Sequence, residues 1–461
     1  RRRSGRVGFM RIPASLKTFA PLMTKIHRLF AVAFMLLFLC ASPATAHGLS
    51  LRQKADLFQR DMEERFLLDG QALCKLKLPV SGRDFIAYNM PDNAYMTGMH
   101  TGTLAMKYAV TRDESDRQAA LQSLKAMHLL CAVSGVPGVP ARAAWPAEKP
   151  MEDDGIWRKS SCGRYLWRGD VSTDQVDGLM FGFALAFDLV ADDEEKGKIA
   201  SDVTAIVDRV LEHDMRIVDV DGKPTRWGRY GPEYVSRGER MNALLWLQAL
   251  KVAAHVTGAD KYTELYTRWA VGENYMEYAQ TARRMASPLF PGFVNHSDDV
   301  LIFLAYVPLL MYEEDETLRA ALLASLQRAW EGDGRFPGVQ PERNPFYAFV
   351  VARHLKTVSD IPGATDTLRW FPLDMKWNCD TIKKYEAALH FRFDKMPASP
   401  EPERGRPVPI DRRTKTWSAW VQDPYHSGGE RTWDEPIEYN GHDYLLAYWT
   451  GRYYGFINEN D

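Results

Sequence analysis

Cysteine is scarce in this chain, with five residues in 461. Cys74, Cys131, Cys162 and Cys379 lie too far apart for a metal-ligand motif. In an oxidising compartment they allow three disulfide pairings, which spacing does not separate. Missing altogether are a phosphate-cradling glycine loop, a dinucleotide fingerprint and a Ser-His-Asp spacing, so nucleotide chemistry and triad hydrolysis have no support. Long apolar runs are also rare. The clearest, residues 29–39, is short for a membrane span. Positive charge is in deficit as well. Residues 1–46 hold eight basic residues and no acid. Without them the chain carries 50 basic against 60 acidic residues, a formal charge of −10. An acidic body of this kind argues against nucleic acid as the main partner.

The opening segment reads as an export signal. Lys25 and Arg28 form a basic stretch, residues 29–39 the apolar one, and Ala44-Thr45-Ala46 a cleavage pattern before His47. Residues 23–46 are therefore expected to be a signal peptide starting at Met23, residues 1–22 an upstream extension, and residues 47–461 one domain. Lipidation at Cys40 is the lesser alternative, because the bulky Leu39 precedes it. The expected location is the periplasm or the exterior, with no membrane span in the remaining chain. Oligomeric state is left open.

What the sequence has in quantity is helical periodicity. Helices are expected near 51–69, 92–111, 113–134, 172–191, 193–214, 236–257, 259–284, 297–312, 315–330 and 343–357, with weaker ones at 376–391 and 439–451. Asp113, Ser172 and Ser297 supply short polar side chains at helix starts. The helices fall into about six pairs joined by short turns, such as Thr257-Gly258-Ala259-Asp260. One layer of hairpins buries one face of each helix, and closure into a ring buries the rest. The expected fold is all-α, an (α/α)6 toroid with long loops at one rim. The loops at 135–171, 214–235, 285–296, 331–342 and 392–438 are long enough to carry function.

Two stretches carry a family resemblance: TGMHTGTLAMKYAVTRDESDRQAALQSLKAMHLL (97–130) and NALLWLQALKVAAHVTGADKYTELYTRWA (242–270). Each joins a small-residue helix to a return helix through a short polar turn, and the second return helix is Tyr-rich. Over about residues 90–390 the chain resembles the six-hairpin glycosidase-like toroids. These include unsaturated glucuronyl and rhamnogalacturonyl hydrolases, with lyases and epimerases on related barrels. The resemblance implies a carbohydrate substrate; no cofactor or metal is expected.

The candidate chemistry lies in polar clusters that each precede an apolar helix. In the first, Trp167, Asp170, Asp174 and Asp177 run into a helix on which Asp174 and Asp177 share a face. Either acid suits general acid or base work, with Asp170 in support and Trp167 as a stacking surface; helix capping is the alternative for Asp174. Hydrolysis of a glycosidic bond needs a second carboxyl across the sugar, for which Glu239, Asp298 and Asp299 are candidates. Arg237 and Arg240 suit a substrate carboxylate, or else a surface ion-pair cluster with Glu239. Trp227 and Tyr230 suit a sugar platform. His296 suits a proton carrier or a binding group. Glu342 and Asn344 lead into another helix, and His100 lines the expected cavity or packs in the core. Residues 423–435 read as a turn-rich lid.

The first expectation is an exported glycoside hydrolase acting on an oligo- or polysaccharide that contains uronate or is neutral. The second is a polysaccharide lyase or uronate epimerase, with His296 or Tyr230 as base. The third is a non-catalytic glycan-binding or envelope protein. All three require the scattered helix starts to converge on one hollow.

Overall fold

Alternation of small and apolar residues makes helices here, and their burial separates two kinds. In this computed structural model the described residues are 48–78, 82–283, 296–334, 338–356, 360–373, 375–377 and 437–461. The expected signal peptide, its upstream extension and the lid at 423–435 lie outside them.

Twelve longer helices form among the described residues: α1 (Leu51–Asp61), α2 (Asn93–Thr111), α3 (Glu114–Ala132), α4 (Thr173–Leu189), α5 (Asp193–Glu212), α6 (Met241–Thr257), α7 (Asp260–Thr267), α8 (His296–Tyr312), α9 (Glu316–Glu331), α10 (Pro345–Leu355), α11 (Ile361–Trp370) and α12 (His442–Tyr453). The even-numbered helices 2, 4, 6, 8, 10 and 12 are inner. From Thr173 to Ala186, for example, only Asp174 escapes full burial. The odd-numbered ones are outer, and α5 shows why: Ile199, Val203, Ile206, Val207 and Val210 form one buried stripe on an otherwise charged helix.

Each inner helix packs on the next: α2 on α4, α4 on α6, α6 on α8, α8 on α10, α10 on α12, and α12 back on α2. The ring therefore closes, and the fold is an (α/α)6 toroid. Outer helices pack against them, α1 on α12 and α11 on α10 among others. The chain ends seal the ring at α1, where the Leu51 amide donates to the Asp461 carbonyl (3.0 Å) and Tyr444 Oη to the Leu51 carbonyl (2.8 Å). The segment Leu49–Asp461 forms one compact unit.

Helix starts follow the expected polar signals. Asp113 accepts from the Ser115 amide, and Ser172 forms a capping box with Gln175. Gly258 ends α6 in the left-handed conformation, at φ 61°.

Four expectations change. The helix expected over 259–284 ends at Thr267, continues as a π-turn to Gly272 and resumes only as a short helix at Tyr275–Ala279. The helix expected over 51–69 ends at Asp61, continues as a π-turn to Phe66 and becomes strand β1 (Leu67–Leu68). Residues 376–377, expected to open a helix, form strand β10 (Lys376–Trp377), paired with β11 (Ile437–Tyr439). The remainder of that expected helix lies outside the described residues. Helix α11 is unexpected, because Pro362 and Gly363 read as breakers; Pro362 sits in the first turn, where a missing N–H is harmless.

The long loops before inner helices contain small antiparallel sheets. β2 (Gln71–Ala72) pairs with β1, and β3 (Lys75–Lys77) lies between β4 (Ala87–Asn89) and β11. β7 (Tyr165–Arg168) is central between β5 (Ala143–Pro146) and β6 (Trp157–Lys159), and β8 (Arg216–Val218) pairs with β9 (Pro224–Arg229). Among the described residues no helix is long and apolar enough to cross a membrane.

Candidate active site

The close approach of α2 and α4 fixes the geometry of one rim. A Cβ on Gly98 would lie 1.9 Å from the Gly178 carbonyl oxygen, and one on Gly178 would lie 2.6 Å from that of Tyr95. Only glycine permits this backbone contact. It sets the start of α2, with Asp92 and Tyr95, beside the start of α4, with Asp174 and Asp177.

Polar links lock these two helix starts together. Gln175 Oε1 accepts from the Ser172 amide (2.8 Å), while its Nε2 donates to Asp92 Oδ1 (3.1 Å). Arg142 reaches the same corner, donating to the Pro91 carbonyl (2.9 Å), the Asp170 carbonyl (2.5 Å) and Asp92 Oδ1 (3.4 Å).

A cleft of about 260 Å³ opens at this rim. The N-terminal ends of four inner helices meet around it. Asp92, Tyr95, Met96 and Met99 come from α2 and its cap, Asp174 from α4, Ser297, Val300 and Leu301 from α8, and Asp443 and Leu446 from α12. The paired ends of the inner strands β3 and β11 close one side with Cys74, Lys75, Tyr439 and Asn440. Lys75 Nζ stands 5.3 Å from the centre of the Tyr439 ring. Three carboxyls over an apolar floor can exchange protons with a bound polyol while the floor excludes water.

Burial and mutual repulsion shape the acids. Asp174 has its proton affinity raised, first by burial and then by the negative charge of Asp92, with Arg142 pulling the other way. Asp177, one turn deeper, is 1% exposed and is pushed well above the carboxylate range by burial. The Gln248 amide, whose Nε2 donates to the Asp177 backbone carbonyl (3.3 Å), lies near the carboxyl without reaching hydrogen-bond distance and partly offsets that burial. Neither carboxyl oxygen of Asp177 has a hydrogen-bond partner. Tyr95 is held protonated by burial and by the fields of Asp177, Asp174, Asp443 and Asp92.

No protein-family model matches the chain, and no curated protein matches it. It is similar to the solved structure of the GH76A α-1,6-mannanase from Salegentibacter sp. HEL1_6, with 9% identity and a TM-score of 0.42, covering 88% of this chain and 100% of that one. It is likewise similar to an inactive variant of that mannanase in complex with α-1,6-mannotetrose, at 9% identity and a TM-score of 0.41, covering 89% of this chain and 100% of that one.

Of the residues proposed from sequence, Asp174 lines the cleft and Asp177 lies beneath it. Asp298 is half-buried beside the cleft residue Ser297. The His296 side chain falls outside the described residues. Asp299 and Glu342 are buried on Arg283, which donates to Asp299 Oδ1 (2.8 Å) and Glu342 Oε1 (3.5 Å); this is an internal ion cluster tying α8 to the loop that leads into α10. Asn344 caps α10, accepting from the Phe346 amide (3.0 Å).

Trp167 is 2% exposed in the central strand of its sheet, with the Arg158 guanidinium 5.2 Å over its ring, so it offers no face to a ligand. Asp170, at φ 56°, is a turn residue whose Oδ1 accepts from the Arg226 amide (2.9 Å). Trp227 is 56% exposed on β9, while Tyr230 is fully buried against Trp246. Arg237 is exposed and Glu239 half-buried in the turn before α6. Arg240 donates to Thr281 Oγ1 (2.6 Å). None of these seven lines the cleft.

His100 is fully buried deeper along α2, its ring edge-to-face with His442 at 5.5 Å. Cys74, Cys131 and Cys162 are unbridged thiols. Among the described residues no group of three or more His, Cys, Asp or Glu side chains gathers to hold a metal ion.

Sequence reasoning missed Asp92 and Asp443 as site residues. Both carry the same signal as Asp174, an acid at the start of an apolar helix, but lie outside the polar clusters singled out from the sequence.

Proposed function

We propose that this protein is a glycoside hydrolase, exported through the signal at residues 23–46, that cleaves oligo- or polysaccharides in the cleft at the inner-helix N-termini. The observation that carries the reading is the meeting of Asp92, Asp174 and Asp443, from the starts of three different helices, around one apolar-floored hollow.

Asp174 is assigned as the general acid, since burial and Asp92 favour its protonated form. Asp443 is assigned as the base or nucleophile. It comes from α12, and α2 stands between α12 and α4 in the ring, which suits two carboxyls acting across a sugar. Asp92, held by Gln175 and Arg142, is assigned to tuning Asp174. The lyase reading loses support because Arg237 and Arg240 stand away from the cleft, and Tyr230 is buried with its hydroxyl held protonated.

The test is a panel of neutral glycans, α-1,6-mannan among them, and uronate-containing glycans, assayed for new reducing ends and for ultraviolet-absorbing unsaturated products. Reducing ends without unsaturation, lost in Asp174→Asn, are expected. An unsaturated product would replace hydrolysis by elimination. Binding without turnover on every glycan would remove catalysis from the reading.

A further inference from the structure

Asp177 poses a physical problem that the proposed reaction does not resolve. It sits in the interior of α4, 1% exposed, with neither carboxyl oxygen hydrogen-bonded. An ionised carboxylate in that setting is strongly disfavoured, so the folded protein holds the acid neutral. Even neutral, its O–H and carbonyl go unsatisfied, which lowers stability relative to an apolar side chain of similar size.

The groups facing it come from α4 itself, α2, α6 and the end of β9. Asp174 stands one turn above on α4 and Gln248 on α6. The hydroxyls of Tyr95 on α2 and Tyr230 after β9 lie in its field. Tyr230 Oη and Gln248 Oε1 are themselves buried without partners. An unpaired acid is thus surrounded by unpaired polar atoms, directly under the cleft.

We propose that Asp177 is a positioning residue: an un-ionised carboxylic acid, retained at a cost to stability, whose O–H serves Asp174 as that residue gives up its proton. The inference rests on Asp174 being the general acid. Side chains three apart on a helix are neighbours, so a small rotation joins the two acids. As the general acid, Asp174 enters the reaction carrying its proton and needs no donor from below. When its proton passes to the glycosidic oxygen, a carboxylate is left on Asp174. The Asp177 O–H then donates to it without transferring its own proton. A neutral acid in apolar surroundings is a strong donor of this kind.

The experiment compares wild type with Asp177→Asn and Asp177→Leu in Tm, kcat, KM and the pH dependence of kcat/KM. Both variants are expected to melt above wild type at pH 7. The sign follows from linkage. The folded state keeps a proton that the unfolded chain releases near pH 4, so wild type loses stability as pH rises, and its deficit against the Asn variant grows from pH 4 to pH 8.

The Leu variant is expected to lose about tenfold or more in kcat with little change in KM, as when a transition-state donor is removed. Its alkaline limb should move to higher pH, because the Asp174 carboxylate has lost a donor. Asn, with an N–H to offer, should fall between. A lower Tm in both variants would make Asp177 a packing residue and overturn the proposal, as would wild-type kcat and an unmoved alkaline limb in a folded Leu variant. A wild type that cleaves no glycan would count against the hydrolase reading instead. The pH-dependent gap in Tm would still decide whether Asp177 is held neutral.

Discussion

Helix α4 carries three aspartates, and two of them, Asp177 and Asp188, are treated in opposite ways. Asp188, at the C-terminal end, is exposed but engaged through both carboxyl oxygens. Its Oδ1 meets His255 Nε2 at 2.8 Å, its Oδ2 accepts from Tyr312 Oη at 2.8 Å, and the His255 and Tyr312 rings stack at 3.7 Å. Asp177, at the cleft end, has no hydrogen bond to its carboxyl. The same rim as Asp188 holds a second satisfied cluster, where Glu313 accepts from Lys251 (3.0 Å) and from Tyr266 Oη. One end of the toroid binds neighbouring helices to each other. The other also ties α2 to α4 through Gln175 and Asp92, but leaves polar atoms unspent beneath a hollow, as functional sites do.

Four measurements would sharpen or break this contrast. The largest effect is expected from Asp174→Asn, a loss of about 10³-fold in kcat with an unchanged unfolding midpoint, since proton transfer by one placed group is worth about 10²–10⁴. A comparable loss of stability in that variant would mean that the cleft end also serves to hold the fold.

Next comes Gly98→Ala, which drives a methyl into the Gly178 carbonyl. Denaturant titration should show a loss of about 3 kcal/mol, at the upper end of overpacking effects.

A third measurement concerns His100, which burial, aided by Lys107, lowers from 6.5 to about 4. The unfolded chain takes up a proton first as pH falls. Stability from the neutral imidazole is therefore complete above pH 6.5 and is lost on descending toward pH 4, by at most roughly 3 kcal/mol. His442, also depressed by burial, adds in the same direction. Unfolding free energies from pH 7 to 4 should slope less in His100→Leu than in wild type; equal slopes would mean that His100 plays no part in the acid sensitivity.

The smallest effect is expected for Asp188→Asn. The pair with His255 is partly exposed, so a loss below about 1 kcal/mol and wild-type kcat are expected. A large drop in kcat there would break the division between the two rims.

Much of this was legible in the sequence. Inner helices declare themselves because burial on all sides demands continuous small and apolar residues, and the polar clusters before them mark where the chain turns into the ring. The position of Asp174 follows from that pattern. Local pattern does not tell which helix starts face the hollow. Trp167 and Tyr230 read as exposed aromatics in irregular loops, whereas strand pairing turns Trp167 inward and the end of β9 delivers Tyr230 onto Trp246. Arg240 reads as a ligand group until Thr281, distant in the chain, takes up its guanidinium. Asp92 and Asp443 look like ordinary caps, because only the closure of α12 on α2 brings them to the same place.

Gln175 has a wider consequence. A single amide completes the cap of α4 with its oxygen and grips Asp92 with its nitrogen. The interval between Asp92 and Asp174 is thereby gauged by one side chain of α4, with Arg142 of the connecting segment donating to the same Asp92 oxygen. The parts of the segment between α3 and α4 that make neither contact can lengthen, shorten or change their chemistry while the spacing of the two acids stays constant.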